Sequence, residues 1–306
     1  MARTVAVTGA TGFIGRALIA RLVMSGWKVY ALARCVPLQE KNPFVEWISG
    51  NLGCRDALQN LVAGAEAVIH CAGAIRGKSW SEFYQTNVIG TKNILQAASN
   101  AVSCSRFLHI SSLAAREPIL SWYARSKFEA EEQIPRFSGQ LESVIYRPAA
   151  VYGPGDKAML PFFQSMRYGV LPVPGDPGNR FGLIHVDDLV AAICCWLEKT
   201  RASGGTYAID DGTGGYNFKS IAMIAQQILG RPVRCFQIPA GSMRMLAHFN
   251  LWLAQFLNYS PILTPGKVRE LQHSDWTCDI SSLRATLTDW YPVIKLEDAL
   301  PSLVAT

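Results

Sequence analysis

The sequence lacks the signatures of several large classes of protein. Its 306 residues contain no run of Lys or Arg despite a formal net charge of +6, so nucleic acid is not an expected partner. No stretch reaches the ~18 uninterrupted apolar residues that a membrane-spanning helix requires. Internal repeats and low-complexity tracts are also missing. With 49% hydrophobic and 17% charged residues, the composition is that of a globular enzyme with a large core.

Cysteine and histidine are present without disulfide or metal-binding patterns. None of the eight cysteines forms a Cys-x-x-Cys pair, and several fall in apolar segments, such as Cys194 and Cys195. We therefore expect small buried side chains in a reducing compartment, and we assign no metal. We also expect no signal peptide, because the first residues already have the pattern of a strand, and we expect a cytoplasmic protein.

A glycine-rich loop near the start of the chain gives the strongest single signal. The segment Thr8–Gly15 carries three glycines at three-residue spacing, between an apolar strand and an amphipathic helix. Gly9 permits a tight turn, Gly12 lets backbone N–H groups approach a phosphate, and Gly15 lets the helix pack on the strand. A second apolar strand follows at 29–33. This order of elements indicates a dinucleotide-binding unit.

The first half of the chain alternates short apolar strands with helices, including a long helix expected over 80–100. Such alternation predicts an α/β fold, a Rossmann-type doubly wound parallel sheet with helices on both faces. Turn-rich segments interrupt the pattern in the second half. We therefore predict a nucleotide-binding domain over 1–155 and about 183–202. A smaller, C-terminal α+β substrate lobe is predicted over about 156–182 and 203–306.

The most apolar helical segment lies at 243–257. Its Met245, Phe249, Trp252 and Phe256 recur at helical spacing, with polar residues between them. We expect this helix to pack on the core. A membrane-docking face, or one wall of a pocket for an apolar substrate, stays open as the alternative.

A tyrosine and a lysine lie four residues apart in another predicted helix. Tyr123 and Lys127 therefore share one helix face, and the ammonium is expected to lower the pKa of the phenol toward neutral pH. Ser111 and Ser112 end the preceding strand, where a hydroxyl can hydrogen-bond a substrate oxygen. This grouping favours acid–base chemistry on a carbonyl or an alcohol.

Taken together, the motifs resemble the extended short-chain dehydrogenases/reductases, a group that includes the nucleotide-sugar epimerase/dehydratase and 3β-hydroxysteroid dehydrogenase families. The resemblance covers roughly the first half of the chain continuously. A further landmark is His185–Leu189. The matching segments are Thr8–Gly15, His70–Gly73, Thr86–Thr91, Ile110–Ser112, Tyr123–Lys127 and Arg147–Gly155.

The resemblance implies a nicotinamide cofactor and assigns roles to individual residues. Ser112, Tyr123 and Lys127 would be catalytic, with Ser112 rather than Ser111 in the place of the family's serine. Lys127 would also hydrogen-bond the nicotinamide ribose, and Asn87 would brace the active-site backbone. The full set expected around the cofactor is Gly9, Thr11, Gly12, Phe13, Ile14, Gly15, Arg34, Asn51, Leu52, Cys71, Ala72, Gly73, Asn87, Tyr123, Lys127, Pro148 and Val151.

Two positions depart from the family's usual cofactor pattern. Arg34 follows the second strand, where an acidic residue would bond the adenosine ribose and favour NAD. An arginine there suits a 2′-phosphate, so NADP is preferred over NAD. Asn51 stands where the family usually has an aspartate that meets the adenine.

Other departures concern the substrate. Ala150 replaces an asparagine that commonly grips the diphosphate of a sugar nucleotide. Leu113 and Ala114 replace the acid pair of the 4,6-dehydratases, so a hexose dehydratase is not expected. Arg180 remains at a place where sugar-nucleotide enzymes bind phosphate, and it is a candidate substrate residue together with Ser112.

The sequence therefore favours an NAD(P)-dependent oxidoreductase that acts on a secondary alcohol or ketone of a small, apolar substrate. A nucleotide-sugar epimerase using the same residues is the alternative. A non-catalytic subunit or sensor that holds NADPH is a third hypothesis. The resemblance also suggests a homodimer formed through the two long helices of the first half, and peripheral membrane contact stays open.

Overall fold

The structure is a computed structural model that describes residues 3–37, 42–199, 204–257 and 259–305. Its strands are β1 (Thr4–Thr8), β2 (Lys28–Ala33), β3 (Val45–Ser49), β4 (Ala67–His70), β5 (Arg106–Ile110), β6 (Glu142–Pro148), β7 (Ala150–Tyr152), β8 (Val170–Val173), β9 (Arg180–Phe181), β10 (Leu183–His185), β11 (Gly205–Ile209), β12 (Tyr216–Asn217), β13 (Arg234–Gln237) and β14 (Asp275–Trp276).

Helices connect and cover these strands. The α-helices are α1 (Phe13–Met24), α2 (Arg55–Val62), α3 (Trp80–Phe83), α4 (Gly90–Asn100), α5 (Trp122–Glu131), α6 (Leu160–Ser165), α7 (Val186–Glu198), α8 (Phe218–Leu229), α9 (Ala240–Leu257), α10 (Pro265–Gln272), α11 (Ser281–Thr286) and α12 (Leu296–Ala305). Short 3₁₀ helices cover Leu113–Arg116, Ile134–Phe137 and Met166–Tyr168.

A seven-stranded parallel sheet forms the centre of the molecule, in the order β11-β6-β5-β4-β1-β2-β3. Every residue of β1 and β4 is buried, as expected for parallel strands covered on both faces. Strand order reverses between β1 and β4, so a crevice opens at the carboxyl ends of these two strands. The predicted Rossmann-type fold is confirmed.

The two faces of the sheet are covered by different helices. On one face α1 and α7 bury apolar side chains such as Leu18, Leu22 and Ile193 against the sheet. On the other face α2 and α4 bury residues such as Leu61 and Ile94. Apolar residues at helical spacing thus supply both cores. The central strands are held rigidly between them.

The long helix expected over 80–100 is continuous in direction but not in hydrogen bonding. A π-helical segment, Tyr84–Ile89, separates α3 from α4. Such segments widen a helix by one residue per turn, and they are frequent at functional sites. Here the widened segment carries the buried Asn87.

The second lobe has a core of its own. It packs α6, α8 and α12 around buried residues such as Phe163, Ile221 and Leu300. Three small sheets, β7 with β10, β8 with β13, and β9 with β12 and β14, are formed by residues between 150 and 276.

The strand Gly205–Ile209 corrects one part of the sequence interpretation, which placed it in the substrate lobe. It pairs in parallel with β6 and forms the edge of the seven-stranded sheet. The strand before α7, in contrast, pairs with β7 outside that sheet. Strands pair with partners that are distant in sequence. The sequence therefore does not reveal which of these two strands, Leu183–His185 or Gly205–Ile209, joins the central sheet. The domain limits otherwise remain a prediction.

The expected burial of the cysteines is wrong for part of the set. All eight are free thiols, and Cys104 is buried, but Cys35, Cys54 and Cys235 are exposed. Each of these three lies in a loop or an edge strand rather than inside a covered element. Composition alone does not distinguish the buried cysteines from the exposed ones.

The expectation that α9 packs its large apolar side chains on the core is also wrong. Ala247 and Ala254 face inward, whereas Phe249, Trp252 and Phe256 are more than half exposed. Periodicity identifies an apolar face but not what covers it. Within the described ranges, no helix is long and apolar enough to cross a membrane.

Candidate active site

The glycine loop joins β1 to α1 at the central crevice. Gly9 adopts φ +69°, and a Cβ atom there would lie 2.6 Å from the backbone N of Ala72. A Cβ at Gly15 would lie 2.1 Å from the carbonyl oxygen of Gly9. These contacts leave no room for side chains, so the loop lies tightly against the segment after β4. Cys71, Ala72 and Gly9 are thereby brought together.

The N-terminus of α1 fits a phosphate group. Gly12 caps the helix without a side-chain hydrogen bond, and the first turn has no acidic residue. The backbone N–H groups and the positive end of the helix dipole are therefore available to an anion. Thr11 is exposed beside them, and Phe13 and Ile14 line the adjoining cavity. The residues present fit the pyrophosphate of a dinucleotide.

A buried histidine organises the floor of the crevice. His70 Nδ1 lies 2.6 Å from the Thr8 hydroxyl, and His70 Nε2 lies 2.9 Å from the Thr91 hydroxyl. Burial lowers the pKa of His70 to about 3, so the ring is neutral. The Ala72 N–H donates to the same Thr8 hydroxyl at 3.3 Å. This network fixes the strand ends that face the cofactor crevice.

Asn87 connects three parts of the site. Its Oδ1 accepts a 2.6 Å hydrogen bond from the Ala74 N–H, and its Nδ2 donates to the Ala74 carbonyl at 3.0 Å. Nδ2 also donates to the Ser126 hydroxyl at 2.7 Å. The side chain thus fastens the loop after β4 to the helix of the candidate catalytic residues. This geometry agrees with the bracing role that the sequence predicts.

The two serines after β5 have different environments. Ser111 is buried, and its hydroxyl donates to the Glu131 carboxylate. Ser112 caps the next 3₁₀ helix by accepting from the Ala114 N–H at 3.2 Å, and it lines the cavity. A substrate oxygen in the cavity can therefore reach Ser112, whereas the hydroxyl of Ser111 is already engaged. This difference favours Ser112 as the polarising serine.

Tyr123 lies in the first turn of α5, whose N-cap is Ser121. The Ser112 hydroxyl hydrogen-bonds the phenol and lowers its pKa, but desolvation is the larger effect and raises the pKa of Tyr123 to about 12. The negative charge of Glu270 raises it further. The sequence analysis expected the Lys127 ammonium to lower the pKa of Tyr123 instead. That prediction is wrong for the chain without its cofactor, because the phenol is buried by tertiary packing that the sequence does not reveal.

Lys127 is buried one helical turn after Tyr123. Its ammonium donates a 2.8 Å hydrogen bond to the Ile110 carbonyl at the end of β5. Desolvation lowers the pKa of Lys127 to about 8, while the nearby Glu131 carboxylate favours the charged form. A Cβ at Gly73 would lie 3.6 Å from the ammonium, so Lys127 borders the segment expected to meet the nicotinamide ribose.

The residues expected around the adenosine lie at the neighbouring strand ends. Arg34 is exposed immediately after β2, and Asn51 is exposed shortly after β3. Gly50 N donates to the Ala33 carbonyl at 2.9 Å, which holds the two strand ends side by side. Asn51 Oδ1 accepts from the Gly53 N–H at 2.8 Å, so this oxygen caps its own turn. The next residue, Leu52, is half-buried.

One cavity of about 700 Å³ lies beside these groups, and Arg34, Asn51, Leu52 and Lys127 are not among the residues that line it. It extends from the start of α1 to Ser112 and Tyr123, and then into the second lobe. The predicted cofactor residues Pro148 and Val151 line it, as does Arg180. The Arg180 guanidinium donates to the Gly214 carbonyl at 2.6 Å. Apolar lining residues from both lobes include Leu113, Met159, Phe162, Phe181, Phe218, Leu251 and Ile262.

Comparison with known proteins identifies the family. Residues 5–210 match the model of the NAD dependent epimerase/dehydratase family. The chain belongs to this family. It is accordingly an NAD(P)-dependent enzyme of the extended short-chain dehydrogenase/reductase type, as the sequence predicts.

Two curated relatives of this epimerase/dehydratase family member are reductases by name. The chain is 37% identical to ceramide reductase of Caulobacter vibrioides over 280 residues, which cover 89% of the chain and 85% of the relative. It is 30% identical to 2-alkyl-3-oxoalkanoate reductase of Stenotrophomonas maltophilia over 232 residues, which cover 67% of the chain and 70% of the relative. These relatives support oxidoreductase chemistry.

Solved structures with the same fold match almost the whole chain. MoeE5 in complex with UDP-glucuronic acid and NAD is 21% identical, with a TM-score of 0.76 and coverage of 99% and 98% of the two chains. The UDP-glucuronic acid 4-epimerase from Bacillus cereus is 20% identical, with a TM-score of 0.76 and the same coverage.

Sequence reasoning missed two buried carboxylates at the site of this epimerase/dehydratase family member. Glu131 receives hydrogen bonds from Arg147, the shortest at 2.5 Å, and lies one turn after Lys127. Glu270, from the second lobe, accepts from Ser121 and pairs with Lys267 at 2.9 Å. The four-residue spacing of Glu131 from Lys127 is visible in the sequence. Nothing local indicates Glu270, which reaches α5 only through the tertiary fold.

Proposed function

We propose that the protein reduces the ketone of an apolar, amphipathic substrate to a secondary alcohol, with NADPH as the preferred cofactor. The single observation that carries this proposal is the cavity. It brings the anion-binding end of α1, the Ser112 hydroxyl and the Tyr123 phenol to one predominantly apolar space. A substrate carbonyl between Ser112 and Tyr123 would have hydrogen-bond donors on both sides.

The ionisation state of Tyr123 supports the direction of reduction. With its pKa raised to about 12, the phenol carries its proton at neutral pH. A protonated phenol is a proton donor, which is what a ketone oxygen needs as its carbon accepts a hydride. A reduced nicotinamide, when bound, would supply that hydride. The Ser112 hydroxyl has a single proton to donate, and in this arrangement it would polarise the carbonyl.

The preference for NADPH rests on the ends of β2 and β3. Arg34 is exposed at the place where an acidic residue would otherwise meet the adenosine ribose. A guanidinium can form a charge-assisted pair with a 2′-phosphate. NAD is the alternative cofactor, since the glycine loop and the end of α1 would bind the pyrophosphate of either dinucleotide.

The apolar character of the substrate is inferred from the cavity lining. Side chains such as Met159, Phe162 and Leu251 supply most of its surface beyond the two hydroxyls. Ala150 offers no amide to a diphosphate. The relatives named as reductases of ceramide and of 2-alkyl-3-oxoalkanoate act, by those names, on molecules with alkyl chains. We infer a substrate with a ketone or alcohol near a polar end and an extended apolar part.

A nucleotide-sugar epimerase is the second candidate, and Arg180 is the observation that favours it. This arginine lines the cavity where a substrate phosphate could lie. Its guanidinium, however, already donates to the Gly214 carbonyl at 2.6 Å. Reorienting it would break that bond, so we rank the epimerase below the reductase. A non-catalytic NADPH-holding protein is third, because Tyr123 lines the cavity and Lys127 lies one helical turn after it.

Cofactor consumption distinguishes these functions. The protein is mixed with NADPH and, separately, with long-chain 3-ketones and UDP-sugars, and absorbance of the reduced nicotinamide is followed while products are analysed. The reductase proposal expects one NADPH oxidised for each ketone reduced, and no conversion of the UDP-sugars. Epimerised UDP-sugar without net cofactor oxidation would contradict it. Binding of NADPH without conversion of any ketone would favour the non-catalytic hypothesis.

A further inference from the structure

Helix α9 buries one methionine and two alanines and exposes its aromatic residues. Met243, Ala247 and Ala254 are buried on one face, where they pack with Val268 of α10. The opposite face presents the apolar row Met245, Phe249, Trp252 and Phe256, exposed by 68%, 57%, 53% and 68%. Most soluble helices show the reverse arrangement. These four side chains would be stabilised by an apolar surface that covers them, and the described residues of the chain do not provide one.

The exposed row is a continuous aromatic surface. The rings of Phe249 and Trp252 lie 5.8 Å apart, and those of Trp252 and Phe256 lie 4.8 Å apart. Leu246 and Leu257 widen it, at 53% and 65% exposure. Contiguous apolar patches of this kind mark interaction sites rather than ordinary surface. Trp and Phe are the residues typical of helices that lie in a membrane interface.

The stretch of sequence that contains α9 carries charge of one sign. Residues 212–269 contain six basic residues and no acidic residue, so the whole formal net charge of +6 comes from this segment. Lys267 is ion-paired with Glu270, while the arginines are exposed. The basic residues are Lys219, Arg231, Arg234, Arg244, Lys267 and Arg269. A basic, aromatic surface is complementary to an anionic lipid surface.

The same helix borders the entrance to the active-site cavity. Leu251 lines the cavity from α9, and Ile262, in the loop after the helix, lines it while remaining 55% exposed. Trp122 and Ile75 are further exposed apolar residues in the lining. Leu251 and Ile262 thus connect α9 and the loop after it to the apolar lining of the cavity. Lys267 and the exposed Arg269 also line this cavity.

We propose that α9 is a peripheral membrane-docking helix that lies on the surface of an anionic bilayer, with Phe249, Trp252 and Phe256 in the headgroup region. Arg244 of this helix and the other arginines of residues 212–269 face lipid phosphates, and the cavity entrance lies against the lipid. Docking is a binding property of this surface and stands without any catalytic step. The corollary, that the substrate enters directly from the bilayer, rests on the proposed function.

Vesicle binding by the purified full-length chain tests the proposal in the absence of cofactor and substrate. Co-sedimentation is measured with vesicles of phosphatidylcholine alone and of phosphatidylcholine mixed with phosphatidylglycerol. We expect binding to the mixed vesicles, weakened by added salt because surface charges are screened. A variant with Phe249→Ser, Trp252→Ser and Phe256→Ser should lose about tenfold or more in partitioning, since most of the inserted apolar area is removed.

Two further variants serve as controls. Met24→Ser with Val102→Ser removes apolar side chains exposed by 82% and 106% elsewhere on the surface, and should bind the vesicles like the original chain. Arg231→Ala, Arg234→Ala and Arg244→Ala should weaken binding to the anionic vesicles in particular. Thermal unfolding of each variant verifies that it is folded, which is expected because the substituted side chains are exposed.

Three results would overturn the proposal. The first is no binding of the original chain to anionic vesicles, and the second is undiminished binding of the triple serine variant. The third is a dimer in light scattering that this variant converts to a monomer while vesicles bind neither protein, which would assign the surface to a second copy of the chain. NADPH oxidation with a short, soluble ketone is measured separately, so a failure of docking and a failure of the proposed reaction are distinguishable.

Discussion

The chemistry of Tyr123 depends on neighbours that are distant in sequence. A hydrogen bond from Ser112 lowers the pKa of the phenol, whereas burial and the charge of Glu270 raise it, and the balance places the pKa near 12. The lysine one turn later is bound to the Ile110 carbonyl. The phenol therefore carries its proton at neutral pH. The pattern in the sequence located both residues but could not predict this balance, because desolvation is set by tertiary packing.

Lys127 should give the reaction an alkaline limit. Burial lowers its pKa from 10.5 to about 8, so its ammonium is lost as the pH rises through that value. If the ammonium holds the cofactor ribose, kcat/KM for ketone reduction should fall over this range with the loss of one proton. Lys127→Arg should move the fall to much higher pH, because arginine keeps its charge. Identical pH profiles for the two proteins would contradict this role.

Arg34 should discriminate between the two cofactors. Arg34→Ala removes a charge-assisted contact with a 2′-phosphate, so the Kd for NADPH should rise about tenfold, consistent with ~1.5 kcal/mol for such a bond. Binding of NADH should change little. Arg21→Ala, another exposed arginine in the last turn of α1, is the matched control. Equal losses for NADPH and NADH, measured by protein fluorescence, would refute the 2′-phosphate assignment.

Among the elements, the unit from β1 to α1 is the one whose geometry the sequence specified best. The glycine spacing predicts positions where two backbone segments pack closely, and the structure shows such close contacts at Gly9 and Gly15. The π-helical segment before α4 was not predicted, since one extra residue in a helical turn leaves no signal in apolar periodicity. For α9 the sequence offered a membrane-docking face only as an alternative, because periodicity shows an apolar face but not whether that face is covered.

Gly15→Ala should destabilise the fold strongly. The added Cβ would lie 2.1 Å from the Gly9 carbonyl oxygen, and that contact is with backbone that cannot move aside cheaply. We expect the free energy of unfolding to fall by about 3 kcal/mol, in the range of severe overpacking. Gly139→Ala is the control, because a Cβ there meets nothing within 4 Å. Urea denaturation measures both variants, and equal stability would contradict the close packing of the loop.

At the scale of the whole molecule, the two lobes are built from interleaved stretches of the chain. The strand Gly205–Ile209 completes the central sheet, and Leu283 and Trp290 near the C-terminus pack into the core of that sheet. The sequence analysis predicted two lobes but assigned these later segments to the second lobe. Contacts between segments that are distant in sequence decide which lobe a segment joins. The predicted homodimer through the helices of the first half remains a prediction.

Asp188 joins the lobes and should be needed for stability. It is buried in α7, and its carboxylate accepts hydrogen bonds from the N–H groups of Val293 and Ile294 at 3.0 and 2.8 Å. Asp188→Ala leaves these donors without their partner, so the free energy of unfolding should fall by about 2–4 kcal/mol. The neighbouring Asp187 is 63% exposed, and Asp187→Ala should cost under about 1 kcal/mol. Equal effects in chemical denaturation would contradict the linking role.

The most direct test of the account is the turnover of Tyr123→Phe. The substitution removes only the phenolic oxygen, so the cavity and the glycine loop should remain, and the Kd for NADPH should stay within about threefold of the original value. Ketone reduction should fall about a thousandfold, in the range expected for loss of a general acid. Turnover within tenfold of the original enzyme, with NADPH still bound, would contradict the proposal that this phenol supplies the proton.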